Sequence, residues 1–198
     1  GAWNSLVEEI FKPSAPALGG MALLQGRGEL VALDQVQGSD KERIPTGISE
    51  LDRVLGGGIV SGSMVLLGGA PGIGKSTLLL QVAKSLRGRL SPILYISGEE
   101  SPHQIRLRAE RLDAVSPEIL LFNETGLEAV EQQIEATNPG LAIVDSVQTL
   151  FRSDLSSAPG SVTQVRECAA SLMRLAKTKG VPIILVGHVT KDGTLAGP

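Results

Sequence analysis

Gly69-Ala-Pro-Gly-Ile-Gly-Lys-Ser-Thr77 decides the fold, because Gly69, Gly74, Lys75 and Ser76 occupy the fixed places of G-x-x-x-x-G-K-[ST]. Before it runs Met64-Val-Leu-Leu-Gly68, apolar and of strand length; after it runs Leu78-Leu-Leu-Gln-Val-Ala-Lys-Ser-Leu86, a series of helix formers. A strand therefore enters a glycine turn and leaves it as a helix that starts near Lys75. Glycine at 69, 72 and 74 permits backbone angles and close approaches that a Cβ would block, so successive N–H groups turn inward toward an anion. The positive end of the helix adds about 0.3–1 kcal/mol per nearby charge. The pattern predicts a phosphate cradle made by Gly69, Ala70, Pro71, Gly72, Ile73, Gly74, Lys75, Ser76 and Thr77. In it Lys75 bridges the β- and γ-phosphates of ATP, and Ser76 offers a hydroxyl to Mg²⁺, which takes oxygen ligands.

Outward from the cradle, apolar runs alternate with helical patterns. Pro92-Ile-Leu-Tyr-Ile-Ser97 reads as a strand ending in Gly98-Glu-Glu100. Ser101-Pro102 is an N-cap and first-turn pair that opens a helix to about Leu112. A shorter strand, Ile119 to Phe122, precedes a helix from Thr125, with Thr125 and Glu128 spaced as a capping box. Leu141-Ala-Ile-Val-Asp145 is a continuous apolar strand closed by one carboxylate. After a polar loop, 152–160, comes a helix whose buried stripe is Val165, Cys168, Ala169, Leu172 and Ala176. Val181-Pro-Ile-Ile-Leu-Val-Gly187 is the last strand and ends at His188. Upstream of the cradle, Ser49 is the expected N-cap of a short helix carrying Leu51, Val54 and Leu55, stopped by Gly56-Gly-Gly58. Alternation of this kind predicts an α/β fold: a parallel-rich central sheet with helices on both faces and right-handed crossovers.

Residues 1–42 differ from the rest. Trp3 to Phe11 has room for a turn or two of amphipathic helix, 12–20 is Pro- and Gly-rich, and 38–43 is a polar hinge. The expectation is an N-terminal tether, 1–42, ahead of a single core, 43–198. A chain of 198 residues with 42% hydrophobic and 20% charged residues suits one globular domain with a short appendage. It contains neither a membrane-length apolar run nor a secretory start. A single cysteine, Cys168, makes neither an internal disulfide nor a multi-thiolate zinc site, so the expected compartment is the cytoplasm and zinc is not expected. The net charge of −3 supplies no overall basic field, and 3% aromatics no stacking platform, so nucleic acid must be met by a local patch or an oligomeric ring.

Ligands of such sheets bind beyond the carboxyl ends of the strands, where each polar residue above falls. Asp145 fits a second Mg²⁺ carboxylate beside Ser76. Glu99 fits the base that orients and deprotonates the water attacking the γ-phosphate; Glu100 fits this less well, since both glutamates are within sequence reach of Arg106 and Arg108. His188 fits a hydrogen-bonding sensor of the γ-phosphate. Cys168 reads as packing, and His103 as exposed.

The order Ile44-Pro-Thr-Gly-Ile-Ser-Glu-Leu-Asp-Arg-Val-Leu-Gly-Gly-Gly58, the cradle, Tyr95-Ile-Ser-Gly-Glu-Glu-Ser101, Ile143-Val-Asp-Ser-Val-Gln-Thr149 and Gly187-His-Val-Thr-Lys-Asp-Gly193 closely resembles the RadA (Sms) family of bacterial DNA repair proteins, whose core is a RecA-like ATPase. The resemblance covers residues 42–198. It implies that the last strand lies between the cradle strand and the Asp145 strand, that Lys75, Ser76, Asp145, Glu99 and His188 carry the roles given above, and that loops 152–163 and 189–198 meet DNA through Arg152 and Lys191. It also implies a homo-hexamer around single-stranded DNA that drives branch migration of recombination intermediates together with the RecA recombinase. Against the family pattern, the four zinc cysteines, the Lys-Asn-Arg-Phe-Gly motif and the Lon-like C-terminal domain do not occur in this sequence. A core fragment that hydrolyses ATP weakly is the expectation. Two other readings stay open: a KaiC-like signalling ATPase and a nucleotide-gated protein-interaction module.

Overall fold

The computed structural model describes residues 32–35 and 42–188. Most of the expected tether, and the loop 189–198 with Lys191, lie outside the described residues. The chain divides into two compact units at Asp40–Lys41; the 3-10 turn Leu33–Gln35 belongs to the first, and the sheet to the second.

The elements of the second unit are β1 (Arg43–Ile44), α1 (Ser49–Val54), β2 (Ile59–Val60), β3 (Met64–Gly69), α2 (Lys75–Leu86), β4 (Ile93–Ser97), α3 (Pro102–Arg111), β5 (Ile119–Asn123), α4 (Leu127–Thr137), β6 (Leu141–Asp145), α5 (Val162–Lys179) and β7 (Ile183–His188). Five strands form one parallel sheet in the order β3-β7-β6-β4-β5. The last strand thus lies between the cradle strand and the Asp145 strand, as the resemblance implied.

The inner strands are apolar throughout because each faces helices on both sides. Leu94, Ile96, Ala142, Val144, Ile183 and Leu185 pack with α4 and α5. Their alternate neighbours Ile93, Tyr95, Leu141, Ile143, Ile184 and Val186 pack with α2 and α3. All of these are at most 3% exposed, and each fully buried aliphatic side chain contributes about 1.5–3 kcal/mol. The expected stripe of α5 holds: Val165, Cys168, Leu172 and Ala176 are buried and Ala169 packs at the edge.

Local signals correct two expectations. Ser49 is the first helical residue of α1, not its cap; Ile48 holds the cap position without a side-chain bond. The turn before it is fixed instead by fully buried Thr46, whose N–H donates to Asp52 Oδ1 (2.7 Å) and whose Oγ1 accepts from Ile48 N–H (3.2 Å). The Thr125–Glu128 capping box does not form. Gly126 holds the cap of α4, and Glu124 Oε1 accepts from the Thr125 and Gly126 N–H groups at 2.7 and 2.9 Å. The Thr125 carbonyl accepts from Phe151 N–H (2.9 Å), which ties its backbone to the loop after β6. By contrast, Ser101 caps α3 as expected, reciprocated by Gln104, with Pro102 in the first turn. The pairing of β1 with β2 was not anticipated from the sequence.

Candidate active site

Register collects the strand tips. Gly69 pairs with His188 across β3 and β7, and Ser97 with Asp145 across β4 and β6. The carboxyl ends of the four neighbouring strands therefore open on one cleft of about 220 Å³, lined in part by Gly72, Lys75, Ser76, Glu99, Asp145 and His188. Arg108, Glu100, Ser97 and Thr77 also line its wall.

The turn from β3 to α2 has the form that the glycine pattern predicts. Gly72 and Gly74 have φ of 77° and 102°, where any L side chain is strained, although the space around each is open. Gly74 is the N-cap of α2 and no side chain caps that end, so the N–H groups of the first turn are left for an anion. Lys75 is only 8% exposed, and its Nζ donates to the carbonyls of Gly69 (2.8 Å) and Ala70 (2.9 Å). Its third neighbour is His188 Nδ1 at 3.4 Å.

Ser76 Oγ donates to Asp145 Oδ2 at 2.7 Å, so the two oxygens expected to share Mg²⁺ are already adjacent. A hydroxyl and a carboxylate are the oxygen donors this cation prefers, so the pair fits it. Asp145 is 9% exposed and takes a second donor that sequence reasoning missed: Tyr95 OH, 2.9 Å from the same Oδ2. Burial first, and the adjacent Asp145 carboxylate second, raise the Tyr95 phenol far above its ordinary range. Tyr95 therefore stays a proton donor. The available signal was a phenol between the apolar residues Leu94 and Ile96 of a buried strand, since a buried phenol needs a partner.

Glu99 and Glu100 separate. Glu99 Oε1 accepts from Ser146 Oγ (2.6 Å) and meets His188 Nε2 (3.0 Å). One tautomer satisfies the whole row: a neutral imidazole with its proton on Nε2 donates to Glu99 and accepts from Lys75 at Nδ1. Glu100 instead forms a two-pronged pair with Arg108, at 2.6 and 2.8 Å, and that bond raises the guanidinium pKa further. Arg106 pairs with Glu110 (2.8 Å), away from both glutamates. His103 is exposed and Cys168 buried, as expected.

Arg152 lies in the loop between β6 and α5. Its guanidinium grips Asp154 at 3.0 and 2.7 Å, with Glu167 at 4.0 Å, and this company raises its pKa. The loop is pinned from below by Gln164, 1% exposed, which accepts from Arg152 N–H (2.8 Å) and donates to the carbonyls of Arg152 (3.2 Å) and Ser157 (3.0 Å). A nucleic-acid phosphate at Arg152 would have to compete with two carboxylates. Lys191 lies outside the described residues. No helix among the described residues is long and apolar enough to cross a membrane.

Comparison with known proteins agrees with this geometry. The family model described as AAA domain matches residues 30–194. Over the whole chain the sequence is 51% identical to the DNA repair protein RadA of Bacillus subtilis (strain 168) and 49% identical to that of Pseudomonas aeruginosa PAO1, covering 44% of each. The protein of that name from Listeria monocytogenes EGD-e is 48% identical over 99% of this chain and 43% of its own length. The chain thus spans less than half the length of these relatives. With a phosphate-cradle turn at the head of a five-stranded parallel sheet and the family model covering most of its length, the chain belongs to the AAA domain family and carries the RecA-like P-loop core that its sequence resembles.

Proposed function

We propose that this chain is the ATP-binding and ATP-hydrolysing core of a DNA repair and recombination motor that drives branch migration on single-stranded DNA. The observation that carries the catalytic half is the convergence of Lys75, Ser76, Asp145, Glu99 and His188, from four different strand tips, on one cleft. Residues 69–77 wrap the triphosphate with backbone N–H groups, and Lys75 exchanges the carbonyls of Gly69 and Ala70 for phosphate oxygens. Ser76 and Asp145 hold Mg²⁺, which supplies charge neutralisation at the phosphates when bound. Glu99 accepts the proton of the attacking water, a step that contributes about 10²–10⁴ in rate. His188, between Lys75 and Glu99, reads whether a γ-phosphate is present.

The DNA half rests on the RadA relatives and on the resemblance, and it extends to the domain plan of a tether, 1–42, ahead of a core, 43–198. It also covers the hexameric ring, branched intermediates, RecA as partner and a cytoplasmic setting. One observation favours a second reading, a nucleotide-gated interaction module or KaiC-like signalling ATPase: Arg152 is already held by carboxylates.

Two measurements test these readings. Glu99→Gln keeps the size and shape of the side chain but removes its charge and its basicity, so ATP affinity should stay within about twofold while turnover falls by about 10²-fold or more; parent-like turnover would remove Glu99 from the reaction. Anisotropy of a labelled single strand, titrated with ATP analogue, ADP or no nucleotide at two salt concentrations, separates motor from module. Triphosphate-dependent, salt-sensitive binding supports the motor; absence of binding in every condition supports the module.

A further inference from the structure

His188 cannot be both the sensor that turns to a γ-phosphate and the fixed support of Glu99. When the ring moves to phosphate, its 3.0 Å contact with Glu99 Oε1 is weakened or lost. Something else must then hold the base in place. We infer that Ser146 is the positioning residue of Glu99, fixing the carboxylate by a buried hydroxyl donated to Oε1 so that Oε2 is presented to the attacking water. This inference rests on the ATPase reading above.

Ser146 has the attributes of a support. It is 0% exposed, so its hydroxyl is removed from competing water, and its Oγ lies 2.6 Å from Glu99 Oε1. A bond from a buried hydroxyl to a carboxylate is among the strong ones. The backbone around it is locked on three sides. The Ser146 carbonyl accepts from Thr149 Oγ1 (2.8 Å) and Thr149 N–H (3.2 Å). On one flank Val147 N–H donates to Val186 O in β7 (2.9 Å), and on the other Gly98 N–H donates to Asp145 O (3.1 Å).

The support and the base are also matched in position. Gly98, which precedes Glu99, lies so close to the side chains of Thr149 and Thr125 that a Cβ there would collide with both. The path of the chain into Glu99 is therefore set by the same Thr149 that holds Ser146. Because Asp145 and Ser146 are adjacent, the metal carboxylate and the anchor of the base are fixed on one short piece of backbone. A one-ångström misplacement of a reacting group costs on the order of 10²-fold in rate, which is the loss such an anchor prevents.

The test compares five forms of the full chain: parent, Ser146→Ala, Ser146→Thr, Glu99→Gln and the double variant Ser146→Ala/Glu99→Gln. Phosphate release under steady-state and single-turnover conditions gives kcat and KM, and a fluorescent non-hydrolysable ATP analogue gives affinity and serves as a fold check. The expected result is a kcat about tenfold below parent for Ser146→Ala, part of the base's own contribution, with KM and analogue affinity within about twofold. Ser146→Thr, which keeps the hydroxyl, should recover most of the rate. In the Glu99→Gln background the Ser146→Ala change should cost nothing further, because the group that Ser146 positions is gone. Should Ser146→Thr fail to fold around its extra methyl, this last comparison decides alone.

A Ser146→Ala rate within about twofold of parent, a loss carried by KM, or the same loss repeated on Glu99→Gln would each overturn the assignment. A parent chain that binds the analogue and releases no phosphate refutes the ATPase reading itself and removes the inference with it. An active parent with an indifferent Ser146→Ala refutes the inference alone.

Discussion

Tyr95→Phe removes one oxygen and leaves every carbon of a 1%-exposed ring in place, so it isolates the hydrogen bond to Asp145 from packing. A hydrogen bond to a charged group contributes about 1.5–3 kcal/mol net, and orphaning a buried carboxylate costs more. Asp145 is not orphaned here, because Ser76 Oγ still donates to the same Oδ2. The expected loss is therefore at the lower end, about 1.5 kcal/mol, which for a domain of this size lowers Tm by about 3–6 °C. A second effect falls on the metal. If Ser76 and Asp145 hold Mg²⁺ as proposed, Tyr95 would be, beside the Ser76 hydroxyl, one of only two side-chain donors that orient the carboxylate among the described residues. Loss of such an outer partner typically weakens metal affinity about 10–100-fold. The assay is thermal unfolding of both forms at pH 7, followed by titration of Mg²⁺ into each with a fluorescent ATP analogue present. Because the phenol is held protonated by burial and by Asp145, both differences should persist unchanged from pH 6 to pH 9. An unchanged Tm together with an unchanged Mg²⁺ midpoint would refute the reasoning, since the bond would then be worth no more than the phenol's solvation in the unfolded chain.

Two further outcomes follow from groups outside the cleft. Glu124→Ala deletes the carboxylate that accepts the Thr125 and Gly126 N–H groups ahead of α4, and should cost about 0.5–1 kcal/mol. Those two bonds lower the Glu124 pKa, so its contribution is present above the ordinary glutamate range and lost as pH falls through the depressed value; the Tm gap between parent and variant should close on acidification. Cys168, buried in the α5 stripe with its thiol pushed up to about 11, should react with a disulfide reagent at pH 8 many times more slowly in the native chain than in denaturant, and comparable rates would place it at the surface.

Lys75, Ser76, Asp145 and Glu99 were legible because each follows an apolar run of strand length, and a parallel sheet delivers every such end to the same edge. Lys75 and Ser76 needed only local sequence, since the turn that holds them is built from its own glycines. What was not legible depends on pairing between segments distant in sequence. Tyr95 reaches Asp145 only because Ser97 is in register with Asp145, which places the phenol on the face of β4 beside the carboxylate. Ser146 follows the strand closed by Asp145 and received no role from the sequence, because its partner lies 47 residues away. The place of β7 between β3 and β6, which brings His188 beside Gly69, was expected from the resemblance and not from any spacing in the chain. The failed cap at Thr125 has the same origin: its backbone is committed to Phe151, and the neighbouring Glu124 takes the Thr125 N–H that the Glu128 side chain would have accepted in a capping box.

The two adjacent glutamates show how the fold assigns different work to like residues. Both leave the tip of β4 in the bend at 98–100, and the two side chains turn to different neighbours. One side faces β6 and β7, where Ser146 and His188 receive Glu99; the other faces α3, where Arg108 receives Glu100. That arrangement is set by the Ser101–Gln104 box, which starts α3 directly after Glu100 and so brings Arg108 back over the strand end two turns later. Three carboxylates and two permanent cations line the cleft, and the Arg108 pair cancels one of each. Lys75 then remains as one cation in a cleft with two carboxylates, Glu99 and Asp145, and a bare triphosphate entering there would meet the one negative charge left unbalanced. A divalent cation held by Asp145 would offset that charge without neutralising Glu99, the carboxylate proposed above as the base. Without Arg108, Glu100 would add a third negative charge at the place where the phosphates arrive. On the proposed reading, the ion pair at the cleft wall serves binding by keeping Glu100 out of the chemistry, and Glu99 is the carboxylate left to act as the base.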